Sequence, residues 1–274
     1  IINKSGATLK EVGATNRTHI DDYEKAISDK TKLLIWVHTS NYIVKGYTKE
    51  VPLEDIVNLG KKHNIPVVAD LGSGTFLPLD KFGIPTELPI SEVVRKGPDI
   101  ILFSGDKMLG GPQSGIILAS RKIIDIIKSN SIYRAVRCDK ITIVMLDEII
   151  SSYRKHGFSN LNLTLSLLTS TREDLEKMGE SIVNNIPSKK IQMLGLTVEN
   201  SMVEAGSGSL PEKNIESVAL KFNSSVFSAN KLSLLFKKGK DPIIGYIQKD
   251  SFFIDLKAIL PSQISKIIKA INNI

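Results

Sequence analysis

The chain has 274 residues, of which 42% are hydrophobic and 24% charged, and it carries a net charge of +7 at pH 7. It contains no apolar run of membrane-spanning length and no visible signal peptide, so a cytoplasmic protein without a membrane partner is expected. The single cysteine, Cys138, excludes an internal disulfide and a multi-cysteine metal site. The positive charge is spread thinly, which is compatible with an anionic partner such as nucleic acid but does not establish one.

Single cores stop growing near this length, so two domains are expected, residues 1–155 and 156–274. Residues 7–12 read as a short strand. Thr18 reads as the cap of a helix over 19–28, whose first turn is loaded with Asp21, Asp22 and Glu24. Lys32 to Val37 is a second strand, running into His38-Thr-Ser-Asn-Tyr42. A helix over 52–63 presents Leu53, Ile56, Val57 and Leu59 as one stripe, and a third strand over 65–69 delivers Asp70 at its end. Residues 100–103 (Ile, Ile, Leu, Phe) form a continuous apolar block that fits a strand buried on both faces. This alternation predicts an α/β fold of βαβ units with a largely parallel sheet. It places Tyr42, Asp70 and Lys107 along one rim, where ligand sites of open sheets lie.

A strand at 116–119, a helix from about Arg121 and a helix over 141–154 extend the first domain. Beyond residue 160 the reading is a helix over 164–184, a strand near 191–199 and a Gly/Ser-rich turn at 205–209. A strand over 217–222 and a helix near 227–237 follow. Strands at 243–248 and 252–256, joined by a Lys249-Asp250 turn, precede a last helix from Pro261. This second part is a smaller α+β domain.

The chemistry centres on Ser104-Gly-Asp-Lys-Met-Leu-Gly-Gly-Pro-Gln-Ser-Gly115, just past a strand end. Its glycines permit tight turns and close approach to a ligand. Met108 and Leu109 beside Lys107 favour desolvation and hence the neutral amine that a Schiff base requires. A phosphate-binding P-loop is rejected, because Gly110 is followed by Gly111 and Pro112 instead of Lys-Ser/Thr. The plainer alternative for Lys107 is a surface lysine in a turn.

Asp70 ends an apolar strand, where a carboxylate needs a partner. It either pairs with the protonated ring nitrogen of pyridoxal phosphate or closes the turn before Gly72. Ser104 is a candidate ligand for the cofactor phosphate or a plain turn residue, and His38 either stacks on the cofactor ring or packs within the rim. Arg134 and Arg137 lie on one face if their stretch is helical, making a fork for an oxyanion or else a solvated surface. Tyr42 faces substrate or covers the sheet. His19, His63 and His156 show no metal-ligand spacing.

The stretches Glu11-Val-Gly-Ala-Thr-Asn-Arg-Thr18, Val37-His-Thr-Ser-Asn-Tyr42, Val68-Ala-Asp-Leu-Gly-Ser-Gly74, Phe103 to Gly115 and Arg134-Ala-Val-Arg-Cys-Asp-Lys140 together resemble the bacterial selenocysteine synthases, L-seryl-tRNA(Sec) selenium transferases. The likeness runs on through Gly206-Ser-Gly-Ser-Leu-Pro211 and Pro242-Ile-Ile-Gly-Tyr246. It implies a pyridoxal-phosphate enzyme of the aspartate-aminotransferase fold (fold type I). Such an enzyme turns seryl-tRNA(Sec) into selenocysteinyl-tRNA(Sec) with selenophosphate, by way of an aminoacrylyl-tRNA.

By this resemblance Lys107 is the Schiff-base lysine and Asp70 the aspartate under the ring nitrogen. Arg134 and Arg137 receive the phosphate-like selenium donor, and Asn41, Tyr42 and Asp106 line that pocket. The resemblance further implies a homo-oligomer, a ring of dimers. Two departures are visible: Ala14 stands where the family usually has threonine, and the chain starts at Ile1, so a tRNA-binding module and part of the cofactor domain are expected upstream. The competing readings are a related pyridoxal-phosphate lyase acting on a small amino acid or amino sugar, and a non-catalytic fragment of the fold.

Overall fold

The computed structural model describes residues 2–39, 42, 44–82, 84, 88–155, 162–205 and 215–274. They form two compact units, one within Ile1–Phe158 and one built from Ser159–Ala205 and Lys213–Ile274.

The first unit holds a four-stranded sheet of β1 (Leu34–Val37), β2 (Val67–Asp70), β3 (Ile100–Ser104) and β4 (Gly115–Ala119), in that spatial order. β1, β2 and β3 are parallel, with Val37 opposite Asp70 and Asp70 opposite Leu102. β4 instead runs antiparallel to β3, pairing Ser104 with Gly115 and Ile100 with Ala119. The connection over 105–114 is too short for the crossover that a parallel neighbour needs. The α/β class and the largely parallel sheet expected from the sequence are thus found, with one antiparallel edge.

Helices α1 (Ile20–Ala26), α2 (Leu53–His63) and α3 (Ile90–Lys96) alternate with the strands, and α4 (Arg121–Ser129), α5 (Ser131–Val136) and α6 (Lys140–Arg154) follow them. The stripe expected on α2 is buried: Leu53, Ile56, Val57 and Leu59 pack in one cluster with Leu34, Val67, Ala69, Ile101 and Phe103. β3 departs from the expectation of burial on both faces. Ile101 and Phe103 are buried while Ile100 and Leu102 are half-covered, because successive side chains point to opposite faces and only one of them is fully packed in this unit.

Residues 7–12 form no strand. Thr18 does not cap α1 either, since its hydroxyl closes the preceding turn on the Ala14 carbonyl at 3.1 Å. The cap position belongs to His19, whose backbone N–H donates to the Asp22 carboxylate at 2.8 Å.

The second unit contains α7 (Leu163–Leu168), α8 (Arg172–Asn184), α9 (Ser188–Leu194), β5 (Leu196–Val203), β6 (Ile215–Phe222), α10 (Ala229–Lys238), β7 (Tyr246–Gln248), β8 (Ser251–Asp255) and α11 (Ile264–Asn272). Its sheet is antiparallel, in the order β5-β6-β8-β7. The single helix expected over 164–184 is two helices, because the Thr171 hydroxyl accepts from the Asp174 N–H and starts α8 afresh. The strand expected near 191–199 begins only at Leu196, after α9 stops at Gly195. Lys249 and Asp250 both adopt positive φ, 45° and 61°, the pairing that a two-residue type I′ hairpin demands. Phe222, Phe236 and Phe252 form the centre of the core, with ring centroids 5.2 to 5.8 Å apart. Among the described residues no helix is long and apolar enough to cross a membrane.

Candidate active site

Three parallel strands end together, and the chain leaves each of them carrying one of the residues singled out from the sequence. The backbone continues the sheet pairing past the strand ends: His38 N–H donates to Asp70 O at 2.8 Å, Leu71 N–H to Leu102 O at 2.9 Å and Ser104 N–H to Gly72 O at 3.2 Å. His38, Asp70 and Ser104 are therefore neighbours along one rim, on backbone that is hydrogen-bonded from strand to strand.

The His38 ring stacks with Trp36, centroids 5.8 Å apart and planes 21° apart, as side chains two positions apart on a strand do when they share a face. Asp70 is half-buried, and its Oδ1 accepts from the Gly72 N–H at 2.9 Å. The turn reading of Asp70 is thus satisfied through one oxygen, while Oδ2 takes no hydrogen bond from another described residue and keeps its acceptor capacity. Ser104 is half-buried, the last residue of β3.

Lys107 sits in a loop closed on itself by three backbone bonds: Gly105 N–H to Ser114 O at 2.8 Å, Gly111 N–H to Gly105 O at 2.8 Å and Gly110 N–H to Lys107 O at 2.9 Å. A Cβ at Gly105 would lie 2.2 Å from Ser114 Oγ and 3.0 Å from Pro112 O, so this turn can close only around a residue without a side chain. Met108 and Leu109 are buried at 2% and 0% exposure and moor the loop in the core, which leaves Lys107 half-buried between them and the exposed Asp106.

The arginine pair differs from the sequence expectation. Arg134 lies in α5, but Arg137 follows the helix end in extended backbone with ψ 140°, so the two do not share one helical face. Both are exposed. The helix stops there because Asp139 starts α6 two residues later, its carboxylate accepting from Ile141 N–H and Thr142 N–H at 2.7 and 3.0 Å. Tyr42 is 51% exposed, beyond the end of β1, and Asn41 lies outside the described residues.

One site neighbour carries no motif of its own. Tyr153, near the end of α6, donates its hydroxyl to Leu109 O at 2.9 Å. The helical spacing Leu146, Ile149, Tyr153 is its only signal in the sequence.

An amine on the loop leaving β3 and a carboxylate at the end of the neighbouring parallel strand β2 are a donor set that could hold a cofactor with an aldehyde and a basic ring nitrogen. Comparison with known proteins decides the family. The model of the family described as SelA, L-seryl-tRNA selenium transferase, matches residues 1–260. The chain belongs to the L-seryl-tRNA selenium transferase family.

A selenium transferase of this name from Alkaliphilus oremlandii (strain OhILAs) is 37% identical over 276 residues, covering 100% of this chain and 59% of the relative. Another, from Carboxydothermus hydrogenoformans, is 38% identical over 264 residues, covering 96% and 56%. The chain thus spans somewhat under three-fifths of the length of these selenium transferases. Among solved structures, D-glucosaminate-6-phosphate ammonia-lyase shares the fold, with a TM-score of 0.66 at 20% identity over 98% of this chain and 64% of that one.

Proposed function

We propose that this chain is the part of a pyridoxal-phosphate enzyme that holds the reactive lysine, and that the enzyme converts seryl-tRNA(Sec) to selenocysteinyl-tRNA(Sec) with selenophosphate as selenium donor. The observation that carries the reading is the family match over residues 1–260, together with Asp70 at the end of β2 and Lys107 on the loop leaving the neighbouring parallel strand β3. In this reading residues 1–155 are the C-terminal portion of the cofactor domain and 156–274 the small domain. The enzyme is a cytoplasmic homo-oligomer, a ring of dimers.

When bound, pyridoxal phosphate supplies an electron sink that acidifies the serine Cα and eases departure of the β-hydroxyl. Lys107 Nζ would hold the cofactor's aldehyde carbon and would serve as the base for the proton at the serine Cα. Asp70 Oδ2 would accept the proton on the ring nitrogen. Its Oδ1 stays on the Gly72 N–H, which fixes the carboxylate's direction. Ser104 donates to the phosphate and His38 covers one face of the ring. Arg134 and Arg137 bind the selenophosphate oxyanion, the former from α5 and the latter from the extended residue after it. Guanidinium groups suit this task because they remain charged and grip oxyanions bidentately. Asn41, Tyr42 and Asp106 line the donor pocket.

The test is to load the whole protein with pyridoxal phosphate, record its visible absorbance, and then supply seryl-tRNA(Sec) with selenophosphate. The expected result is a coloured protein that forms selenocysteinyl-tRNA. A colourless protein, or turnover of free amino acids with none of the charged tRNA, overturns the reading.

A further inference from the structure

Helix α6 touches the lysine loop at two places, and neither contact is used by the chemistry above. The first is apolar: a Cβ placed at Gly105 or at Gly111 would lie 3.3 or 3.4 Å from Leu146 Cδ2. Leu146 therefore rests on the two glycines whose backbones close the loop. The second is polar. Two turns further along α6, the Tyr153 hydroxyl donates to Leu109 O at 2.9 Å, two residues past Lys107.

The Tyr153 ring is fixed in turn, its centroid 5.2 Å from that of Phe76, which stands edge-on to Phe103 of β3 at 6.3 Å. Burial pushes the Tyr153 hydroxyl up to about 12, so it stays protonated, and a donor, throughout the neutral range. At its other end α6 begins on Asp139, two residues after Arg137. One helix of 15 residues thus starts beside the arginines and ends against the lysine loop.

We propose that Tyr153 is a positioning residue: with Leu146 it makes α6 the backstop that sets where Lys107 stands. The inference rests on the cofactor reading of Lys107. Among the described residues the loop closes through three backbone bonds, and segments held by few bonds open locally at lower free energy than the core. Tyr153 restricts such opening by donating to the carbonyl of the buried Leu109 at 2.9 Å. Leu146 does so sterically, because its side chain fills the space into which a Cβ at Gly105 or Gly111 would project. Side chains that pre-set a reacting group in this way raise its effective concentration toward the ligand without touching it.

The experiment uses the whole protein, freed of cofactor and then mixed with pyridoxal phosphate, comparing wild type with Tyr153→Phe, Leu146→Ala and Val144→Thr. Val144 is an exposed position of α6 away from the loop. Three quantities are read: the rate at which the visible band grows, the pH midpoint of that band, and amide hydrogen exchange over residues 105–111 before cofactor is added. Tyr153→Phe keeps the ring and removes the hydroxyl that donates to Leu109 O. It is expected to slow band growth roughly threefold to tenfold, the factor set by one hydrogen bond of ordinary net strength, to move the pH midpoint and to speed exchange at Gly110 and Gly111, while melting close to the wild-type temperature. Leu146→Ala should do the same with a lower melting temperature, and Val144→Thr should match wild type.

If Tyr153→Phe forms the band at the wild-type rate and midpoint, the positioning role is overturned even where exchange rises. If wild type itself forms no band, the cofactor reading falls and takes this inference with it, an outcome distinct from the first.

Discussion

Lys107 is placed by backbone rather than by partners of its own charge. The loop around it is held by Gly105, Gly110 and Gly111 and moored by Met108 and Leu109. Replacing it tests the chemistry most directly: Lys107→Ala should abolish the visible band of the loaded protein and lower turnover by roughly 10² to 10⁴, the range for loss of a positioned acid-base group. Spectra and single-turnover assays check both. In the proposed function the arginines act on the selenium donor instead. Arg134→Ala combined with Arg137→Ala should raise the KM for selenophosphate and leave the visible band as in wild type, measured by titrating the donor against fixed seryl-tRNA(Sec).

At this scale the placement of the lysine and the aspartate at strand ends was legible in the sequence, since each follows an apolar run of strand length and stands two positions from a glycine. The relation between the arginines was not legible. A spacing of three implies a shared face only while the helix continues, and here Asp139 captures the next N–H groups and ends it. Tyr153 was invisible for a related reason: its partner is a backbone carbonyl 44 positions away in sequence.

Elements are held by their ends as much as by their apolar stripes. Asp139 caps α6, and its hydrogen bonds from Thr142 and Ile141 keep its carboxyl below the usual carboxylate range. A lowered folded-state value means that this cap contributes fully above the unfolded carboxylate pKa of about 3.9 and is lost as pH falls through the lower, folded value. Asp139→Ala should therefore lower the melting temperature at pH 7 and have a shrinking effect as the pH is brought below the unfolded carboxylate value, followed by circular dichroism. The β7–β8 hairpin offers the opposite case. Asp250 holds φ at 61° without being glycine, so Asp250→Gly should raise stability in urea titrations, by at most about 1 kcal/mol, because it relieves the left-handed conformation.

The hairpin was readable in advance because two short apolar runs flank a two-residue polar turn. The break between α7 and α8 was not, since the apolar spacing runs on across it. The Thr171 hydroxyl prevails there by capturing the Asp174 N–H.

The whole molecule is two cores of different construction. In the first unit the core lies between α2 and the sheet. The second is built on an aromatic trio in which Phe222, Phe236 and Phe252 are 0%, 2% and 0% exposed. Truncating Phe236 to alanine removes a large buried ring from the middle of that trio and should cost about 3–5 kcal/mol in denaturant titrations.

The division of labour between sequence and structure follows from range. Strand-length apolar runs, the helical stripe of α2, the turn residues at 249–250 and the ordered motifs around Lys107 and Asp70 are local patterns, and local patterns dictate element type and family. The direction of β4, the one-sided packing of β3, the end of α5 and the clamp of Tyr153 on Leu109 were decided only in three dimensions. Each depends on which distant group reaches a backbone N–H, a carbonyl or an apolar face first, and no window along the chain contains both partners.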